Sequence, residues 1–151
     1  MRKRDRHHSR ALFVALAVSI AGALGAWLVV HARHDDEAAP ARIAIAELRS
    51  LAGALALVAQ AWDRNEATMT YARSQAHQLA QPLADALRDL DDAPAQAAAQ
   101  AGEAGAHGRR LMTLAAALES LPARGEAAPL AEQARASRDA LAALERSLVP
   151  R

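Results

Sequence analysis

One uncharged segment near the N-terminus places the strongest limit on what this chain can form. Residues Ala11 to Val30 include no charged side chain, and Ser19 is the only clearly polar residue among them. Twenty residues of helix extend about 30 Å, which matches the hydrocarbon core of a bilayer. We therefore predict a single transmembrane helix over residues 11–31, in contact with membrane lipid.

The charges on either side of this segment predict its orientation. Residues 1–10 carry five cationic side chains against Asp5, whereas Asp35, Asp36 and Glu37 follow the segment. Loops rich in lysine and arginine stay in the cytoplasm. The sequence thus predicts a signal anchor in a bacterial inner membrane, with residues 1–10 in the cytoplasm and the C-terminal domain in the periplasm.

A cleaved signal peptide is the alternative interpretation of the same segment. Ala21, Gly22 and Ala23 are small enough for a cleavage site, and the basic N-terminus fits as well. The apolar run continues to Val30, however, so cleavage there would leave an apolar new N-terminus. The anchor is therefore favoured, and both interpretations place the domain outside the cytoplasm.

Small residues form a stripe along the predicted transmembrane helix. Ala15, Ser19, Gly22 and Ala26 are spaced by four, three and four residues, so they share one helix face. Small side chains let two helices approach closely in lipid. The stripe predicts a helix-packing face in the membrane, although an alanine-rich segment also produces such stripes by chance.

The remainder of the chain has the composition of an all-α domain. It is rich in alanine, the strongest helix former, and aromatic residues make up only 3% of the sequence. There is no cysteine, which excludes disulfides and thiolate metal sites. After a charged linker over residues 32–40, we predict an antiparallel bundle of three or four helices over residues 41–149.

The first part of this bundle carries an apolar seam typical of helices that pack against other helices. Its phase continues past Asn65, which favours one long helix from about Ala41 to Leu90. Asp63 and Glu66 match a capping box, so a turn there would give four helices instead of three. Pro82 should kink or restart the helix. The seam comprises Leu48, Leu51, Leu55, Val58 and Trp62.

Two further helices follow proline-containing breaks. Pro94 should open a helix that extends to about Leu121, and Pro129 should open the last one. Their seams comprise Leu111, Leu114 and Leu118, then Leu141 and Leu144.

Three glycines spaced three apart interrupt the third predicted helix. Gly102, Gly105 and Gly108 each cost about 1 kcal/mol relative to alanine in a helix interior. They mark either very close packing or a frayed stretch, and the absence of large apolar neighbours favours fraying.

Two groups of residues could bind a metal ion. His31, His34 and Asp35 fall on one helix face, and two imidazoles with a carboxylate suit zinc, nickel or copper. The alternative is a polar collar beside the membrane. His77 and His107 lie at equal distances on either side of Asp92, so antiparallel helices would bring them level. Histidines on a polar helix surface are the alternative there.

No catalytic or cofactor motif occurs, so we predict that the protein is not an enzyme and takes no cofactor or small-molecule substrate. The residues from His34 onward carry 16 carboxylates and 12 arginines, and this acidic balance argues against nucleic acid as a partner. An alanine-rich core buries little area per residue, which favours a partner protein or self-association. The leading hypothesis is an interaction or scaffold subunit of an envelope complex. The alternatives are a periplasmic metal or stress sensor and a phage inner-membrane lysis subunit.

Overall fold

Four α-helices make up most of the chain that the computed structural model describes, which is residues 38–120, 122–123 and 125–148. They are α1 (Ala39–Asp63), α2 (Met69–Asp91), α3 (Ala98–Glu119) and α4 (Ala128–Ser147), with a 3-10 turn over Ala95–Ala97. No strand occurs within these described ranges, so the all-α prediction is confirmed. The predicted transmembrane helix, with Ala15, Ser19, Gly22 and Ala26, lies outside the described residues.

The predicted unbroken helix from Ala41 to Leu90 is wrong, because α1 ends at Asp63. Asn65 adopts a left-handed conformation with φ of 62°. The Glu66 N–H then donates to the carbonyl of Ala61, and the Asn65 N–H donates to that of Trp62. This pair of bonds is the Schellman motif, and asparagine tolerates its left-handed position better than most residues do.

The start of α2 also differs from the prediction that Asp63 and Glu66 form a capping box. Thr68 is the N-cap, and its hydroxyl accepts a hydrogen bond of 3.2 Å from the Tyr71 N–H. The Asp63 carboxylate instead accepts a 2.7 Å bond from the Gly125 N–H. Pro82 lies inside α2, so of the two predicted effects, a kink or a restart of the helix, the restart is wrong.

The core lies along α1, which contacts each of the other three helices. Ile45, Leu48 and Leu55 of α1 are among the largest fully buried side chains. Of the predicted seam, Leu51 and Leu144 are partly buried against the core. The other seam residues are buried: Leu48, Leu55, Val58, Trp62, Leu111, Leu114, Leu118 and Leu141.

Two contacts, one from each half of α1, show which parts of the chain lie beside it. Arg49 forms a 2.6 Å ion pair with Glu145, so the first half of α1 lies beside the last turns of α4. At the other end, the Trp62 indole N–H donates to the Pro122 carbonyl at 3.0 Å. Trp62 is only 6% exposed, so this bond satisfies a buried donor that would otherwise cost free energy.

The glycines of α3 do not fray the helix, and the prediction of a frayed stretch is wrong. α3 is continuous from Ala98 through all three of them. At Gly108 a Cβ atom would lie 2.7 Å from Leu87 Cδ2 and 3.2 Å from Leu48 Cδ1. At Gly102 a Cβ would meet no atom within 4 Å. Gly108 is therefore a point of close packing between α3 and its neighbours α1 and α2.

Candidate interaction surface

The side of α1 that points away from the core carries no charge. We call it the outer face of α1 and define it by Ile43, Ala46, Ser50, Ala54, Leu57 and Ala61, which recur every three or four residues. Ser50 and Leu57 are exposed, and the isoleucine and the three alanines are half-buried. Leu57 is 67% exposed, the highest value among the large apolar side chains of the described residues.

The charged side chains Arg42, Glu47 and Arg49 of α1 lie beside its outer face and not on it. Among the described residues, α1 alone is long and apolar enough to cross a membrane by length and composition. Only 44% of its most apolar stretch is buried by the rest of the chain. The core covers one side of α1, and the outer face is the uncharged side that the core does not cover.

An acidic edge borders the outer face on the side of α2. Glu47 lies on this edge, and Asp85 and Asp89 of α2 act on it electrostatically. Burial raises the pKa of the Glu47 carboxyl above its ordinary value, and the negative charges of Asp89 and then Asp85 raise it further. Arg88 pairs with Asp85 but not with Glu47. The acidic edge therefore consists of Glu47, Asp85 and Asp89.

A basic edge borders the outer face on the opposite side, towards α4. Arg42 and Arg49 are seven residues apart, so they lie two helical turns apart on one side of α1. The Arg49 side chain is 43% exposed even though it pairs with Glu145. A guanidinium has five N–H donors, so this ion pair leaves donors available for a second acceptor. The outer face thus has edges of opposite charge.

A shallow groove of about 340 Å³ lies where the first turns of α2 meet the end of α3. The His77 Nδ1 atom is 3.2 Å from Glu119 Oε1, and the Arg73 Nε–H donates to the Glu119 carbonyl at 3.3 Å. The His77 and Glu119 side chains are 75% and 42% exposed. Water competes for such contacts, so they fasten α3 to α2 only weakly.

The structure does not bring the two predicted histidine ligands His77 and His107 together. His77 lies beside Glu119, whereas His107 precedes Gly108, which packs on Leu87. Their levels therefore differ by roughly ten residues of α2, or about 15 Å. Among the described residues, no three histidine, aspartate or glutamate side chains form a group that could hold a metal ion. His31, His34 and Asp35 lie outside the described residues, and their metal site stays a prediction.

The imidazole side chain of His107 is poorly solvated. Its Nδ1 atom is buried and has no hydrogen-bond partner. Burial lowers the pKa of the His107 imidazole below its ordinary value, and the positive charge of Arg110 lowers it further, while Glu103 opposes both. The folded chain therefore favours the neutral imidazole.

We expect His107→Gln to flatten the dependence of stability on pH. With a folded pKa below the unfolded value of 6.5, His107 binds fewer protons in the folded state. The contribution of neutral His107 to the free energy of unfolding is therefore fully present above pH 6.5. It falls as the pH drops from 6.5 towards the folded pKa. The measurement is the free energy of unfolding from about pH 8 to about pH 5.

The matched control for this prediction is His77→Gln, because the His77 side chain is 75% exposed. The wild-type chain and the His77 variant should lose more stability on acidification than the His107 variant does. Equal slopes for the wild-type chain and His107→Gln would contradict the prediction.

The seam predicted from the sequence did not include the outer face of α1, which lies on the opposite side of the helix. The signal was present, because no charged residue occurs at any of the six positions. Half of these positions are alanine, which is common on any helix because it is the best helix former. The pattern alone therefore does not distinguish a contact surface from an ordinary helix surface.

Comparisons with protein-family models, with curated proteins and with solved structures found nothing that matches this chain. Its function must therefore be inferred from its surface, its charges and the predicted membrane segment.

Proposed function

We propose that this protein is a non-enzymatic interaction subunit of a bacterial envelope complex. In this proposal residues 11–31 anchor it in the inner membrane, residues 1–10 lie in the cytoplasm, and α1 to α4 form an antiparallel bundle in the periplasm. The outer face of α1 is the docking surface.

The observation that carries the proposal is the uncharged outer face of a helix whose other side is already the core. Leu57 on this face is 67% exposed, and the helix as a whole is apolar enough for a bilayer. An exposed apolar surface of this kind favours contact with another molecule. The opposite charges on its two edges favour a protein, because lipid offers no pattern of charges to match them.

Two further observations support the bundle and its position. Arg49 meets Glu145, Trp62 meets Pro122 and His77 meets Glu119, contacts that fit neighbouring helices running in opposite directions. The basic residues 1–10 and the acidic residues after Val30 support the orientation across the membrane.

Site-specific photo-cross-linking in intact cells tests this proposal. A photoreactive amino acid replaces Leu57 or Ser50 in the full-length chain, and the cross-linked products are identified by mass spectrometry. We expect one or a few defined protein adducts at these two positions. Gln133 is the matched control, because it is also exposed and lies on α4.

The result that would contradict the proposal is the absence of any protein adduct at Leu57 and Ser50. Equal labelling at Gln133 would also count against it, because a docking surface must be confined to one face. As a second variant, Leu57→Arg should abolish the adducts at Ser50 by placing a charge in the apolar contact.

A further inference from the structure

The sizes of the side chains on the outer face limit the shape of a partner that can pack against it. Four of its six residues are alanine or serine, and the two large side chains, Ile43 and Leu57, are separated by about 21 Å of helix. A narrow surface with small residues between two large ones fits the side of another helix at close range. The same small residues on the partner would permit an equally close approach, with ridges of one helix packed into grooves of the other.

Charge complementarity selects among partner helices. The acidic edge of the outer face has Glu47, Asp85 and Asp89, of which Asp85 is already paired with Arg88. The basic edge has Arg42 and Arg49, of which Arg49 is already paired with Glu145. When two copies pack parallel about a two-fold axis, the acidic edge of each copy meets the basic edge of the other. When they pack antiparallel, each edge meets its own kind and like charges repel.

We propose that the outer face of α1 docks on the outer face of α1 in a second copy of this chain, with the two helices parallel. This inference names the partner for the proposed docking surface and rests on the proposed function. The same anchor supports the parallel arrangement, because two chains held in one membrane enter the periplasm in the same direction.

The contact is small, so the membrane must contribute to it. A helix of 25 residues is about 37 Å long, and a strip about 10 Å wide buries roughly 370 Å² per copy. A stable interface between free proteins buries about 800 Å² per partner. Tethering both copies in one membrane raises their effective concentration and compensates for the smaller area.

The absence of cysteine from the chain gives a direct test in native membranes. In the full-length protein, Ser50→Cys and Leu57→Cys each place one thiol on the outer face. A parallel pair sets each thiol beside its own counterpart, within the Cα separation of less than about 7 Å that a disulfide requires. We expect disulfide-linked dimers of both variants, formed at least about tenfold faster than those of Thr113→Cys and Gln133→Cys.

A charge reversal distinguishes a specific pair from random collision. Glu47→Arg in the Leu57→Cys background replaces the carboxylate that α1 contributes to the acidic edge with a cation that meets Arg42 and Arg49 of the second copy, and we expect the rate of disulfide formation to fall about threefold to tenfold. Adding Arg42→Glu to the same chain places a carboxylate on the other edge, where it meets the new cation of the second copy, and the rate should recover.

Each remaining outcome decides against the inference. A link that forms only between the Ser50→Cys and Leu57→Cys chains when they are co-expressed would establish an antiparallel pair and overturn the parallel one. Photo-adducts at Ser50 and Leu57 that contain only a different protein would overturn self-association and leave the proposed function intact. If neither disulfides nor photo-adducts form at these positions, both proposals fail.

Discussion

Leu48→Ala is expected to lower the free energy of unfolding by about 2–5 kcal/mol, the range for removing a fully buried leucine side chain. Leu48 is 0% exposed and belongs to the core that α1 shares with the other helices. It also packs against α3, because a Cβ atom at Gly108 would lie 3.2 Å from Leu48 Cδ1. The substitution removes this contact and leaves a cavity that rigid helices fill only in part. The measurement is denaturant unfolding of the full-length chain in mild detergent, monitored by circular dichroism.

The control is the same substitution on the opposite side of the same helix. Leu57 is 67% exposed, so Leu57→Ala removes little packing and should change the free energy of unfolding by less than about 0.5 kcal/mol. Helix propensity differs little between leucine and alanine. Equal losses for the two variants would contradict the division of α1 into a core face and an outer face. Under the self-association proposal, Leu57→Ala weakens the dimer without weakening the fold.

The sequence was sufficient for the features that depend on local chemistry. The alanine content predicts helices, and the spacing of the leucines predicts their buried side, because residues that recur every three or four positions share one face of a helix. Pro94 and Pro129 correctly predict the breaks before α3 and α4, because each proline lacks an N–H and disfavours helix in the residue before it.

The missed break after Asp63 shows where periodicity misleads. The apolar phase continues across Asn65, so the pattern resembles one uninterrupted helix. The helix ends because Asn65 takes a left-handed conformation, with two backbone hydrogen bonds closing the end. Asparagine permits this conformation but does not require it, so the local sequence left both outcomes open.

The register of one helix against another is harder to predict from the sequence than the helices themselves. Counting residues from Asp92 places His77 and His107 level, but the 3-10 turn over Ala95–Ala97 shifts the register of α3 against α2. The pairing of Gly108 with Leu87, rather than the midpoint of the turn, reports the true register. The same contact explains why a glycine-rich stretch forms a continuous helix, since packing overrides a weak local propensity.

Gly108→Val should destabilise the fold by about 1–3 kcal/mol, the usual range for adding atoms to a packed contact. Its Cβ would lie 2.7 Å from Leu87 Cδ2, and Leu87 Cγ and Leu48 Cδ1 would both be 3.2 Å away. Leu87 is half-buried and can rotate its outer methyl group. Leu48 is fully buried, so the added γ-methyl groups would force α3 away from α1. The measurement is again the free energy of unfolding of the full-length chain.

Gly102→Val is the matched control, because the same substitution there meets open space in the same helix. Valine favours helix over glycine by a few tenths of a kcal/mol, so we expect a change between zero and about 0.5 kcal/mol of added stability. The difference between the two variants therefore isolates the packing of α3 on α1 and α2 from helix propensity, which changes equally at both positions. If Gly108→Val proves as stable as Gly102→Val, the close approach at Gly108 does not exist. In that case the register of α2 and α3, including the separation of His77 from His107, would be wrong with it.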